Sequence, residues 1–185
     1  MLPQLFQTME HKMQKAVEVL KTDFAGIRTG RANAALLDTV RVMSYGSPVP
    51  LNQVASIAVP EARLLVISPW DKGLIGEIEK AILKSDLGLT PANDGKVIRL
   101  PIPTLTEERR RELVKVVKKM SEESKVAVRN IRREANDEIK RLEKDKKVSE
   151  DESKKAHDDT QKVTDKYVAL VDEVLAKKEK EIMEV

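Results

Sequence analysis

From Thr104 to the end of the chain, apolar residues return every three or four positions with no proline or glycine to interrupt them. That pattern predicts long amphipathic helix. The first stripe runs Leu113, Val117, Met120, Val128, Ile131, Ala135, Ile139 and Leu142, with Ser124 filling one step. Its mean spacing is near 3.6 and not a strict 3.5, which favours packing inside the same chain over a supercoiled dimer. The charged run Lys144 to Lys147 breaks the stripe, and Ser149 followed by Glu152 makes a capping box, so a new helix starts near Ser149. Its stripe is Ala156, Thr160, Val163, Tyr167, Leu170, Val174 and Ile182, with acids in the first turn, where the helix dipole favours them. At the front, Leu5, Met9, Met13, Val17, Leu20, Phe24 and Ile27 repeat the spacing until Gly30 is expected to end it.

Three helices of about 28, 40 and 36 residues would be roughly 42, 60 and 54 Å long. The short turn near Lys146 makes the last two antiparallel, and the first can lie in their groove as a three-helix bundle. Between Gly30 and Pro103 the texture changes. Every proline but Pro3 lies between Pro48 and Pro103, and short runs at 39–43, 54–59, 64–68 and 97–100 read as strands. One helix over 74–84 interrupts them and is expected to stop by Gly88. Tyr45-Gly46-Ser47-Pro48 and Asn93-Asp94-Gly95 read as turns. The expected fold is therefore α+β: a long antiparallel three-helix bundle, residues 1–29 and 105–185, with an inserted small β/α/β domain, residues 30–104. Both connections fall at one end of the bundle, so an L-shaped molecule is expected.

Composition narrows the chemistry. With no cysteine among 185 residues, disulfide, thiolate and zinc-thiolate chemistry are excluded. No basic leader precedes an apolar run and no stretch approaches the roughly 20 apolar residues that span a bilayer, so a soluble, cytoplasmic protein is expected. The two histidines, His11 and His157, have no His or Cys companion nearby, which argues against a metal. Gly26-Ile-Arg-Thr-Gly30-Arg31 lacks the spacing and the Lys-Ser/Thr of a phosphate loop. Neither histidine lies near a Gly-x-Ser-x-Gly turn, and although acids such as Asp71 or Asp158-Asp159 could in principle work as general acid and base, most acids in a chain that is 35% charged are simply solvated. No catalytic residue and no cofactor are expected.

Net charge is only +3, but it is unevenly spread. Residues 104–147 carry 15 basic and 10 acidic side chains, and residues 148–185 carry 7 and 11. Stepping one position past each core residue of the long helix gives Lys118, Ser121, Lys125, Arg129, Arg132, Asn136 and Lys140, a cationic strip. Stepping one back gives Val116, Lys119, Glu123, Ala127, Asn130, Glu134 and Glu138. Arginine at 129, 132 and 133, where lysine dominates elsewhere, suits forked phosphate recognition. Two readings stand side by side: an RNA-binding face, or a solvated face paired with acids of the third helix. Aromatics at 3% argue against single-strand base stacking, so folded RNA read by shape and phosphate is the better fit for the first.

Five ordered blocks resemble the ribosome recycling factor family over essentially the whole chain. They are Ile27 to Ala32; Tyr45-Gly46 with Pro48, Pro50 and Leu51; Ser85 to Leu89 with Pro91; Arg99 to Arg110; and Val126 to Arg133 followed by Ala135-Asn136. The resemblance implies a bundle with a hinged small domain and a monomeric, non-enzymatic factor. Such a factor enters the ribosome after termination, binds large-subunit ribosomal RNA and, with elongation factor G and GTP hydrolysis by that partner, separates the subunits. It also implies RNA contacts by Arg28, Arg31, Arg110, Arg129, Arg132 and Arg133, and an interdomain hinge at Gly30, Pro101 and Pro103. Lys125 stands where the family often has arginine; Gly73 and Pro3 also depart from its pattern.

Overall fold

A computed structural model of the protein describes residues 1–184. The chain divides into two compact units, one formed by Met1–Phe24 with the segment from Glu108 onward, the other by Ala25–Glu107.

The first unit holds three helices: α1 (Leu2–Ala25), α3 (Glu107–Lys144) and α4 (Glu150–Met183). Helix α1 buries Met9, Met13, Val17, Leu20 and Phe24, the expected stripe. It ends at Ala25, ahead of Gly26, so Ile27 lies outside the helix. Gly30, expected as its stop, is a loop residue at φ +81°. The long helix buries Leu113, Val117, Val128, Ala135, Ile139 and Leu142, but also Ser121, which is fully enclosed. Lys146 takes φ +55° in the reversal after α3, the left-handed conformation that turns a chain sharply. Ser149 then caps α4 as the sequence predicts: its Oγ accepts from Glu152 N at 3.1 Å, and the Glu152 carboxylate accepts from Ser149 N at 2.8 Å. Helix α4 buries Ala156, Thr160, Tyr167 and Ile182 as expected, but Thr164 and Val171 are buried in place of Val163 and Leu170, and Lys178 is buried while Val174 is only half-buried.

Cross-helix bonds fix the packing. Glu143 meets Ser153, Lys125 meets Asp172 and Arg110 meets Met183, so α3 and α4 run antiparallel. Lys12 of α1 bridges to Glu134 of α3 at 3.0 Å, and Glu10 takes Lys166 Nζ at 3.0 Å and Tyr167 Oη at 3.2 Å from α4. The apolar stripe of α1 closes the groove between the other two helices.

The second unit contains β1 (Arg41–Ser44), β2 (Ser47–Pro50), β3 (Ala55–Glu61), β4 (Leu64–Pro69), α2 (Ile75–Lys84), β5 (Ala92–Asn93) and β6 (Ile98–Pro101). All pairings are antiparallel, in a hairpin β1-β2 and a four-stranded sheet of order β3-β4-β6-β5. Two-residue alternation puts Leu65, Ile67, Ile98 and Leu100 inside, against Ile78 and Ile82, which share a face of α2 one turn apart. Each such side chain contributes roughly 1.5–3 kcal/mol on burial.

Two strands were not anticipated. Tyr45 (φ +48°) and Gly46 (φ +85°) form a two-residue hairpin turn, so Ser47-Pro48 begins a strand instead of completing the turn. Pro48 and Pro50 conceal it, because a proline without an N–H is tolerated only at an edge, which is where β2 lies. Strand β5 is two residues long, too short to leave a periodicity. The first strand begins at Arg41, not Thr39, and α2 ends at Lys84, four residues before Gly88.

Of the three expected hinge residues, Pro101 is the last residue of β6, opposite Leu64. Gly30 and Pro103 lie outside helix and strand.

Candidate RNA-contacting surface

The flank of α3 that follows its core stripe faces α4. Lys118 Nζ lies 3.8 Å from Glu179, and Lys125 Nζ lies 2.5 Å from Asp172 and 3.4 Å from Glu122. The hydrogen bond to Asp172 raises the Lys125 pKa above the usual lysine value, against the opposing effect of burial. At these two positions the solvated-face reading is the correct one: the cations are neutralised by acids of the third helix. Ser121 leaves the strip altogether, because it points into the core, where its Oγ has no hydrogen-bond partner.

The arginines further along differ. Arg129 is exposed and, among the described residues, makes no ion pair or hydrogen bond. Arg133 is exposed and donates from Nη1 to the Asn130 carboxamide at 3.3 Å. Arg132, expected to be exposed on the helix face, is half-buried and donates from Nη1 to Gln161 Oε1 of α4 at 2.7 Å. Among the described residues, no carboxylate meets any of the three. Two acids of the opposite flank are engaged elsewhere, Glu134 by Lys12 and Glu138 by Arg141. Within about one and a half turns of α3, three full guanidinium charges therefore remain available to an anion.

Below the arginines, the contact between α3 and α4 is polar. Asn136 Oδ1 lies 2.9 Å from His157 Nδ1 and 2.8 Å from Thr160 Oγ1, which fixes the register of the two helices beside Arg132 and Gln161.

Of the other three expected arginines, one lies elsewhere on α3 and two belong to the small unit. Arg110, about 28 Å along the helix from Arg129 by rise per residue, donates from Nη1 to the Met183 carbonyl at 3.3 Å and so satisfies a free carbonyl at the end of α4. Arg28 and Arg31 belong to the small unit, where the Arg28 guanidinium holds the Leu87 carbonyl and Arg31 is exposed beside Gly30. Sequence reasoning did not find Gln161 and gave Asn130 no role beyond its place on the opposite flank, since nothing in a neutral amide flags it until the fold places it against a guanidinium. No group of three His, Cys, Asp or Glu residues among the described ones could hold a metal.

A three-helix rod bearing an un-neutralised arginine cluster, joined to a small α+β unit, defines a charged helical binding factor. The ribosome recycling factor family model matches residues 20–183. Ribosome-recycling factors of Symbiobacterium thermophilum and Geobacillus kaustophilus are 63% and 61% identical, each over the whole of both chains. Among solved structures, a solution structure of the ribosome recycling factor, 47% identical, superposes with a TM-score of 0.79 over 100% of this chain and 98% of the other. A second, at 49% identity and a TM-score of 0.69 with both chains fully covered, describes the T. thermophilus ribosome recycling factor with E. coli elongation factor G bound to the E. coli post-termination complex. The chain belongs to the ribosome recycling factor family, whose members are non-enzymatic translation factors.

Proposed function

We propose that the protein binds the ribosome after termination and, with elongation factor G and GTP hydrolysed by that partner, dissociates it into subunits for another round of translation. The observation that carries this is the 63% identity to a ribosome-recycling factor over the full length of both chains. The rod holds large-subunit ribosomal RNA through Arg129, Arg132 and Arg133, with Arg110 further along the same unit and Arg28 and Arg31 contributing from the small one. The un-neutralised state of the central three supports this division, since phosphate contacts draw on cations that no protein carboxylate already occupies. The work takes place in the cytoplasm, and no described helix is long and apolar enough to cross a membrane.

The test is sedimentation of post-termination ribosomes incubated with purified protein, elongation factor G and GTP. An increase in free subunits that requires all three is expected. Unchanged sedimentation would mean that the chain does not recycle ribosomes.

A further inference from the structure

Among the described residues, Arg132 is the only member of the arginine cluster tied to another helix, and the tie is a relay. Its Nη1 donates to Gln161 Oε1 at 2.7 Å, and Gln161 Nε2 donates to Asp165 Oδ1 at 2.8 Å one turn further along α4. The second bond settles which way the amide points: with its NH2 committed to Asp165, its oxygen faces Arg132. The contrast with Lys125 on the same flank is chemical. Lys125 is met by a carboxylate whose negative charge offsets its own, whereas Arg132 is met by a neutral carboxamide that accepts a hydrogen bond and leaves its positive charge uncompensated. Arg132 Nε is enclosed without an acceptor, which costs stability. Holding a long side chain in one rotamer before binding removes an ordering cost from the binding step.

We infer that Gln161, oriented by Asp165, is a positioning residue that presents the Arg132 guanidinium to a phosphate of ribosomal RNA while keeping it fully charged. This rests on the reading of Arg132 as an RNA contact, and the variants separate the two ideas.

Ribosome binding by the full-length protein is measured across a salt series for the unaltered chain, Arg132→Ala, Gln161→Ala, Gln161→Glu and the double variant Gln161→Ala/Arg132→Ala. Melting of each confirms that the bundle is intact. Gln161→Ala is expected to weaken binding about three- to tenfold. Gln161→Glu, which keeps an acceptor beside Arg132 but makes it anionic, is expected to weaken binding at least as much and to flatten the salt dependence as Arg132→Ala does. The double variant should bind like Arg132→Ala alone, because Gln161 acts only through that side chain. If Gln161→Glu binds like the unaltered chain, the glutamine is a structural prop and the inference falls. It falls equally if the Gln161→Ala and Arg132→Ala losses add, since Gln161 then makes its own contact, or if Arg132→Ala is weakened and neither Gln161 variant is. If Arg132→Ala itself binds normally, the RNA reading of Arg132 fails, and this inference fails with it.

Discussion

Gly30 and Leu105, on the two chain segments that connect the small unit to the helices, lie against each other: a Cβ added to Gly30 would sit 3.5 Å from Leu105 Cγ. That distance is ordinary van der Waals contact, so space does not forbid a side chain. The backbone does, because Gly30 sits at φ +81°. Gly30→Ala is therefore expected to cost about 1–2 kcal/mol of stability through the left-handed strain alone, measurable as a lower denaturant midpoint with an unchanged slope.

The two connections are also where we propose that the units bend against each other. Ala32 N–H donates to the Ala62 carbonyl at 2.7 Å, and Ile102 N–H donates to the Arg63 carbonyl at 2.8 Å with its side chain in the small core, so those residues travel with the sheet. The proposed rotation would fall on Gly30, where it must release the bond from Arg28 to the Leu87 carbonyl, and on the stretch from Pro103 to α3. A cysteine pair spanning a connection, in a chain with no cysteine of its own, should leave ribosome binding intact, impair subunit splitting and be reversed by reductant. Normal recycling by the fully oxidised protein would show that bending plays no part.

Arg129→Ala and Arg132→Ala should separate in stability although both weaken binding. The first removes an exposed side chain without a partner and should change stability by less than about 0.5 kcal/mol; the second breaks a hydrogen bond between helices and should cost about 0.5–1.5 kcal/mol. Each should reduce the slope of log affinity against log salt by about 0.7–0.9. Unchanged slopes in both would return this face to the status of a solvated surface.

Ser121→Ala is expected to stabilise the bundle. Its hydroxyl is fully buried without a hydrogen-bond partner, and alanine removes that desolvated group while favouring helix by a few tenths of a kcal/mol. A rise in melting temperature with unaltered ribosome binding is the expected result; a fall would mean that the hydroxyl is satisfied in solution.

Asp94 should make the small unit sensitive to acid. Its carboxylate accepts from Val97 N at 2.8 Å, Lys96 N at 2.9 Å and Arg99 Nη1 at 2.6 Å, and these bonds, the Val97 backbone bond foremost, hold its pKa well below the usual aspartate range. A carboxylate with a depressed folded pKa contributes stability at pH above its unfolded value, near 4, and loses it as pH falls toward the folded one. Asp94→Asn should accordingly lower unfolding stability at pH 7, with the gap from the unaltered protein closing as pH drops below about 4.

Local physics is what made most of the fold legible in the sequence. A period near 3.6 without proline or glycine leaves only helix for the C-terminal segment, and Ser149 with Glu152 marks the start of α4 through bonds formed between residues three apart. The arginine blocks were likewise visible as residue types on one helix. Tertiary structure alone decided which charges are free. Lys118 and Lys125 look like Arg129 and Arg132 along the chain, but whether a cation meets Glu179 and Asp172 or the neutral Gln161 depends on the register of α4 against α3. The same register put Ser121 in the core and buried Thr164, Val171 and Lys178 on α4. Periodicity reports the direction of a helix face, with an uncertainty of one position; the neighbour that fills the remaining angle comes from a distant part of the chain, and that neighbour sets which charge is left uncompensated.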